Sequence, residues 1–338
     1  MATADVKVQE RLAPAEPSQF AVTWKRFRRH RLGFIGLWSL TTIVLACIFV
    51  PIIMQSLTGM TYETIDNKAL LPELVNGNIT STKPMFYNGD LGFHVLGTND
   101  VGRDVFTRLF SAGRISLAVG VITTIIIILL GGLVGALAGF YGGWVDTILM
   151  RFVDLMLAIP ALPILLIASK MLAQSQVMDK IFGRGLGSVV TIITVLSIFG
   201  WMGVSRLVRG SILSLRSLDF VEATRALGAN NRRIIMKHLL PNSFAPIIVA
   251  ATLGVGDFII SESALSFLGL GIQDPIPSWG NMLEGSREYM QFITNLNPFE
   301  EIRGYLVLFP GIMILLTVLS INFMGDALRD ALDPRLKM

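Results

Sequence analysis

Few side chains in this sequence are placed to do chemistry, and Asp257 and Glu262 are the first pair to consider. Two carboxylates on one face could share a proton and run acid–base catalysis. Five residues of helix rotate the chain by about 140°, so these two point to different faces and cannot work as a pair. His30, His94 and His238 are dispersed along the chain and offer no common metal site. No Gly-Lys dipeptide occurs, so the Gly-rich phosphate cradle that ends in Gly-Lys-Ser/Thr is missing. The reading is of no catalytic residue, no metal and no cofactor in this chain. Ionisable groups in apolar surroundings still need an account, because they are costly in lipid and usually face a bundle interior or a watery cavity. Asp257 and Glu262 are therefore candidates for a transport pathway or a subunit interface, and Asp154 for the membrane–water boundary.

The elements that hold these groups are written in the composition. Hydrophobic residues make up 52% and charged residues 15% of 338 positions, with a mean hydropathy of +0.63. Soluble domains carry roughly 25% charged residues, and a bilayer-spanning helix needs about 20 apolar ones. Residues 33–54, 115–145, 185–205, 239–270 and 304–325 satisfy that test, the fourth running on through Asp257 and Glu262. A further span over 149–171 has its charge-free centre shortened by Asp154 and Lys170, and Pro160 and Pro163 predict a kink in it. The expected fold class is an all-α polytopic membrane protein with six transmembrane helices. Within the second span Gly131, Gly135 and Gly139 recur every four residues, which predicts a smooth ridge for close helix packing in lipid.

Lys25, Arg26, Arg28, Arg29 and Arg31 precede the first span and set the N-terminus in the cytoplasm. Six crossings return the C-terminus to the same side. By parity the loop after the fourth span is cytoplasmic too, and it carries Arg206, Arg209, Arg216, Arg225, Arg232, Arg233 and Lys237 against Asp219 and Glu222. The positive balance of +4 is then a topological bias and calls for no nucleic acid. Residues 1–24 are expected to be a mobile tail, 25–54 the basic anchor and first span, 55–114 an extracytoplasmic loop, and 115–338 the remaining transmembrane domain.

Within 206–241, the stretch 217–227 reads as a short helix and Gly228 as a chain reversal just past its end. Asn230 or Asn231 can cap a second helix over 232–240, and Pro241 is expected to open the next span, where its missing N–H does no harm. A DNA-binding helix-turn-helix is incompatible with a loop held between two spans. A solvated basic loop contacting anionic lipid and a docking element for a cytoplasmic partner remain.

Glu222-Ala223-Thr224, then Gly228, then His238-Leu239-Leu240-Pro241-Asn242 resembles the coupling motif of ABC importer permeases, with Thr224 where a second alanine is usual. The block from His94 to Val105, with Arg108 and Gly113-Arg114-Ile115-Ser116-Leu117, resembles the C-type permease subunit of the dipeptide/oligopeptide/nickel importer family. Asn99 there replaces a common aspartate. Leu265-Ser266-Phe267-Leu268-Gly269-Leu270-Gly271, Pro277-Ser278-Trp279-Gly280, Phe309-Pro310-Gly311 and the run from Gly325 to Arg335 extend the resemblance from about residue 25 to 335. Residues 55–93 depart from the pattern by their length.

The resemblance implies a type I ABC importer permease fold in a bacterial inner membrane. It implies a homologous B-type permease subunit, two ABC ATPases that bind ATP and Mg²⁺, and an extracytoplasmic solute-binding protein as partners. The cargo would be di- or oligopeptides; nickel, glutathione or an oligosaccharide are alternatives within the same machine, and a stand-alone secondary transporter is the alternative outside it. Glu222, Ala223, Thr224, Arg225, Gly228 and Pro241 would couple this chain to the ATPases. The long 55–93 loop is expected to lie outside, within reach of the binding protein.

Overall fold

The computed structural model describes residues 19–70, 73–75, 78–80, 82–183, 185–287 and 304–332. In chain order the helices are α1 (Gln19–Arg29), α2 (Arg31–Thr58), α3 (Val105–Tyr141), α4 (Gly143–Ala158), α5 (Ala161–Ser175), α6 (Val177–Phe182) and α7 (Leu186–Leu215). They continue with α8 (Asp219–Ala226), α9 (Asn231–Ile234), a π-helical turn over Ile235–Leu239, α10 (Leu240–Asn242), α11 (Phe244–Phe267), α12 (Trp279–Gly285) and α13 (Tyr305–Leu332). Between α2 and α3 two small antiparallel pairs form, Glu73–Val75 with Asn78–Thr80 and Tyr87–Asn88 with Phe93–His94. Of the tail expected over 1–24, residues 1–18 lie outside the described residues and 19–24 are helical. The tail's end is ordered because the aromatic face of α1 buries Phe27 against Ala327 and Ala331 of α13.

Five helices, α2, α3, α7, α11 and α13, are long and apolar enough to cross a membrane. The further span expected over 149–171 is not one kinked helix but the pair α4 and α5, bent by 89° at a short break. Ile159 precedes Pro160 and is pushed to an extended conformation (φ −84°, ψ 129°), which ends α4 outright. Pro160 and Pro163 then fall at the N-cap and first turn of α5, where a missing N–H leaves nothing unpaired. Fifteen residues reach only about 22 Å, short of a hydrocarbon core of about 30 Å, so neither piece spans alone. The pair still connects opposite ends of the bundle. α4 starts at the end of α3, and the end of α5 reaches Gln176, which shares a cavity with Ser188 at the start of α7 and Gln273 beyond α11.

α3 is the central element. Its glycine ridge does what its spacing predicts: a Cβ on Gly131, Gly135 or Gly139 would stand 2.6, 2.4 and 3.0 Å from the carbonyl oxygens of Trp201, Ser205 and Arg209. Only glycine lets the backbones of α3 and α7 come this close over two turns. On other faces of α3, Gly120 admits Val255 and Ile259 of α11, and Gly113 admits Cys47 of α2 and Trp279. The contact with α2 carries a further device. Pro51 lacks the N–H that would bond the carbonyl of Cys47, four residues back. Arg114 of α3 replaces it, its Nε donating to the Cys47 carbonyl (2.7 Å) and its Nη2 to that of Ile48.

Candidate functional site

The loop after α7 is fastened to the bundle and presents a surface away from it. Val221 of α8, with Ile234, Ile235 and Leu239, is buried against Ala136 and Phe140 of α3 and Val208 and Ile212 of α7. These apolar residues fix the loop at the end of the bundle opposite the 59–104 segment. α8 closes in a Schellman arrangement: Gly228 N–H donates to the Arg225 carbonyl (2.9 Å) and Ala229 N–H to that of Thr224 (3.2 Å). Gly228 sits at φ +80°, the left-handed region a β-branched side chain avoids. Asn230, not Asn231, caps the second helix, its Oδ1 accepting from Arg233 N–H at 2.9 Å.

Pro241 does not open the next span. It lies in α10, the last turn of the second loop helix, and α11 begins only at Phe244. Because Pro241 cannot donate to the carbonyl four residues back, the helix before it widens into the π turn, and Leu240 N–H reaches five residues to Ile235. Of the sequence-derived candidates, Glu222, Ala223, Arg225, Gly228 and Pro241 are exposed, and Thr224 is half-buried with its hydroxyl on the Phe220 carbonyl. Sequence reading missed the apolar part of this surface. Leu227 is 88% exposed at the tip, with Leu218, Phe220 and Met236 also exposed. The available signal was an apolar residue directly before the turn glycine of a basic loop.

Two ion pairs hold the broken third span beside this end. Arg209 of α7 makes a bidentate contact with Asp146 of α4, Nη2 to Oδ2 at 2.7 Å, and Arg206 pairs with Asp154. The Asp154–Arg206 pair is half-exposed. Arg216 closes the end of α3 by donating to the Gly139 carbonyl (3.0 Å).

At the opposite end the signature blocks interlock. His94 is buried between two carboxylates, Nδ1 on Asp104 (2.9 Å) and Nε2 on Asp66 (3.1 Å). Asp104 also caps α3, accepting from Thr107 N–H (2.7 Å). Burial disfavours the His94 cation, but the bonds and charges of Asp104 and Asp66 outweigh it and hold its pKa above the usual value. Burial likewise opposes the Asp66 charge, but the bond to His94 and the amides of Leu91, Ala69 and Lys68 prevail, and its pKa is lowered. Arg103 and Arg108 both donate to Asp274, at 3.2 and 2.9 Å, tying the start of α3 to the segment after α11.

The two acidic residues of α11 part company as their 140° separation requires. Glu262 is 0% exposed and accepts from Ser266 (2.7 Å) and from Ser116 of α3 (3.1 Å). Ser116 Oγ in turn accepts from Trp279 N–H (3.2 Å), and the Trp279 indole donates to the Leu109 carbonyl (3.0 Å). Glu262 thus joins α3, α11 and α12 from within. Asp257 is exposed, and among the described residues its carboxylate makes no hydrogen bond or ion pair. It opens onto a cavity of about 210 Å³ between α3, α7 and α11.

A family model described as binding-protein-dependent transport system inner membrane component matches residues 131–338. A second, the N-terminal TM domain of oligopeptide transport permease C, matches residues 18–72. A dipeptide transport system permease protein of Alkalihalophilus pseudofirmus is 38% identical over 323 residues, covering 95% of this chain and 91% of the relative. A glutathione transport system permease protein of Pectobacterium atrosepticum is 40% identical over 249 residues, 74% of this chain and 75% of the relative. A dipeptide transport system permease protein of Bacillus subtilis is 34% identical over 314 residues, 93% and 85% respectively.

Proposed function

The chain belongs to the family of binding-protein-dependent transport system inner membrane components, of the oligopeptide permease C type, and from that premise we propose that it forms half of an ATP-driven importer for di- or oligopeptides. It is a multi-pass inner-membrane protein. The observation that carries the proposal is the loop of α8–α10: rigidly seated by Val221, Ile234 and Leu239, yet presenting Glu222, Arg225 and the apolar Leu227 outward. Such a surface suits docking onto a cytoplasmic ATPase, which supplies the ATP and Mg²⁺ chemistry this non-catalytic chain does not. Both termini then lie in the cytoplasm, and the 59–104 segment faces the solute-binding protein. A homologous B-type permease subunit completes the membrane unit, with two ATPases below it.

When the ATPases close on ATP they draw the docked loops together, and because α8–α10 are packed on the ends of α3 and α7, the motion reaches the spans as a rigid-body rotation. The pathway runs along the face of Asp257. An aspartate at a helix centre facing lipid costs about 3 kcal/mol, so an exposed, unpaired one midway along α11 marks the watered side. Glutathione, itself a peptide derivative, is a second cargo, favoured by the Pectobacterium relative. Reconstitution with the partner subunits tests the proposal: peptide uptake into proteoliposomes should require ATP and the ATPases. Uptake driven by a proton gradient without ATPases would instead establish a secondary transporter and overturn it.

A further inference from the structure

Asp257 stands midway along α11, and its surroundings restrict what can meet it. The cavity before it is walled by Ile127 and Ile128 of α3, Val204 of α7 and Phe258 of α11, while Gly203 and Gly254 keep it open. No described cation approaches the carboxylate, although Arg206 and Arg209 of the neighbouring α7 are both committed to α4 carboxylates. The cavity is small for a whole ligand, since drug-sized pockets start near 300 Å³; about 210 Å³ holds a single aminoacyl group.

We infer that Asp257 is a specificity-determining counter-charge in the pathway, meeting the protonated amine of a passing peptide while the apolar walls receive the adjoining side chain. The inference rests on the proposed pathway face. A carboxylate in a narrow, low-dielectric passage attracts an ammonium group more strongly than bulk water would and repels an anion. It binds weakly enough to release because it is a single contact. An amine-bearing, net neutral or cationic peptide therefore passes more readily than an anionic one.

The test uses the complete transporter in proteoliposomes, with trialanine as cargo and saturating binding protein. Asp257→Asn should lower uptake per ATP hydrolysed about tenfold, the factor that about 1.4 kcal/mol of attraction represents, with ATP hydrolysis stimulated by the binding protein unchanged. Asp257→Glu should restore uptake. Equal uptake per ATP in Asp257→Asn and wild type overturns the inference, as does an equal loss of uptake and ATP hydrolysis. The sole native cysteine of this chain, Cys47, is buried, so an Asp257→Cys thiol is the one reactive site the chain adds, and the wild-type complex treated with the same reagents is the control. A methanethiosulfonate bearing a sulfonate should recover uptake, and one bearing a trimethylammonium should not. If both reagents react and act alike, the counter-charge fails while the pathway face stands. If neither reacts, the pathway face itself fails.

Discussion

Leu227→Ser separates docking from folding at a single site. Leu227 is 88% exposed at the tip of α8, so this chain loses little packing when the side chain is shortened. Full burial of a leucine side chain contributes about 1.5–3 kcal/mol; a tip buried by the ATPase should therefore forfeit about 2 kcal/mol on truncation. That weakens the permease–ATPase affinity about thirtyfold. The assay is titration of ATPase subunits onto the reconstituted permease, read both as bound ATPase and as hydrolysis stimulated by the binding protein. The melting temperature of the permease should not move. Val221→Ala is the internal control, since Val221 is fully buried one helical turn or more away on the inner side of α8. It should cost roughly 2 kcal/mol of stability through lost methyl groups and the space they leave. Wild-type ATPase affinity in Leu227→Ser would refute the docking surface, whatever Val221→Ala does.

Gly228→Val places a β-branched residue at φ +80°; the strain of about 1–2 kcal/mol or more should reorient α8 against α9, uncoupling ATP hydrolysis from uptake while the protein still inserts, as read by the ratio of the two rates. Gly135→Val puts a Cβ 2.4 Å from the Ser205 carbonyl, and the forced separation of α3 and α7 should cost at least about 1–3 kcal/mol, lowering the melting temperature in detergent more than the same change at Gly132, which faces open space. Arg114→Leu should destabilise by about 1–3 kcal/mol by stranding the Cys47 carbonyl, and clearly less in a Pro51→Ala background, where the chain regains its own donor; additive effects would exclude the exchange. His94, raised in pKa, contributes stability that is complete below its unfolded value near 6.5 and is lost as pH rises through the folded value. Asp66, lowered, contributes stability present above its unfolded value near 3.8 and lost as pH falls through the folded one. Proteolytic resistance of the 59–104 segment should thus peak between about pH 4 and 6.5, and His94→Asn should remove the alkaline decline.

What the sequence disclosed depended on whether one element's own pattern determined the outcome. The spans and the glycine ridge are periodic properties of single helices, so Gly131, Gly135 and Gly139 could be read directly. The turn geometry of the loop after α7 was legible for the same reason, since the reversal at Gly228 and the cap at Asn230 are local choices of backbone conformation. The break at Ile159–Pro160 was half-legible. Proline forbids a continuous helix, but the angle depends on where each half packs: Leu165 of α5 is buried with Val189 and Ile192 of α7, and Asp146 and Asp154 of α4 reach Arg209 and Arg206. Those partners lie 63 and 52 residues away. Pro241 was misplaced because its lost bond is absorbed by a π turn before it, a response no propensity encodes.

The same reasoning explains why Asp257 and Glu262 looked alike in sequence and differ in the folded chain. Both interrupt one apolar run, and helix geometry says only that they diverge by about 140°. Which direction leads inward is decided by the neighbours of α11. Gly120 of α3 brings Ile259 close, and that contact turns the Glu262 face toward Ser116 and Trp279. The hydroxyls of Ser116, Ser263 and Ser266 then make a buried carboxylate tolerable, so Glu262 serves assembly. On the opposite face Gly203 and Gly254 withhold the side chains that would fill the cavity before Asp257. An uncompensated charge there calls for water or a passing cation to meet it, which is the role proposed for Asp257.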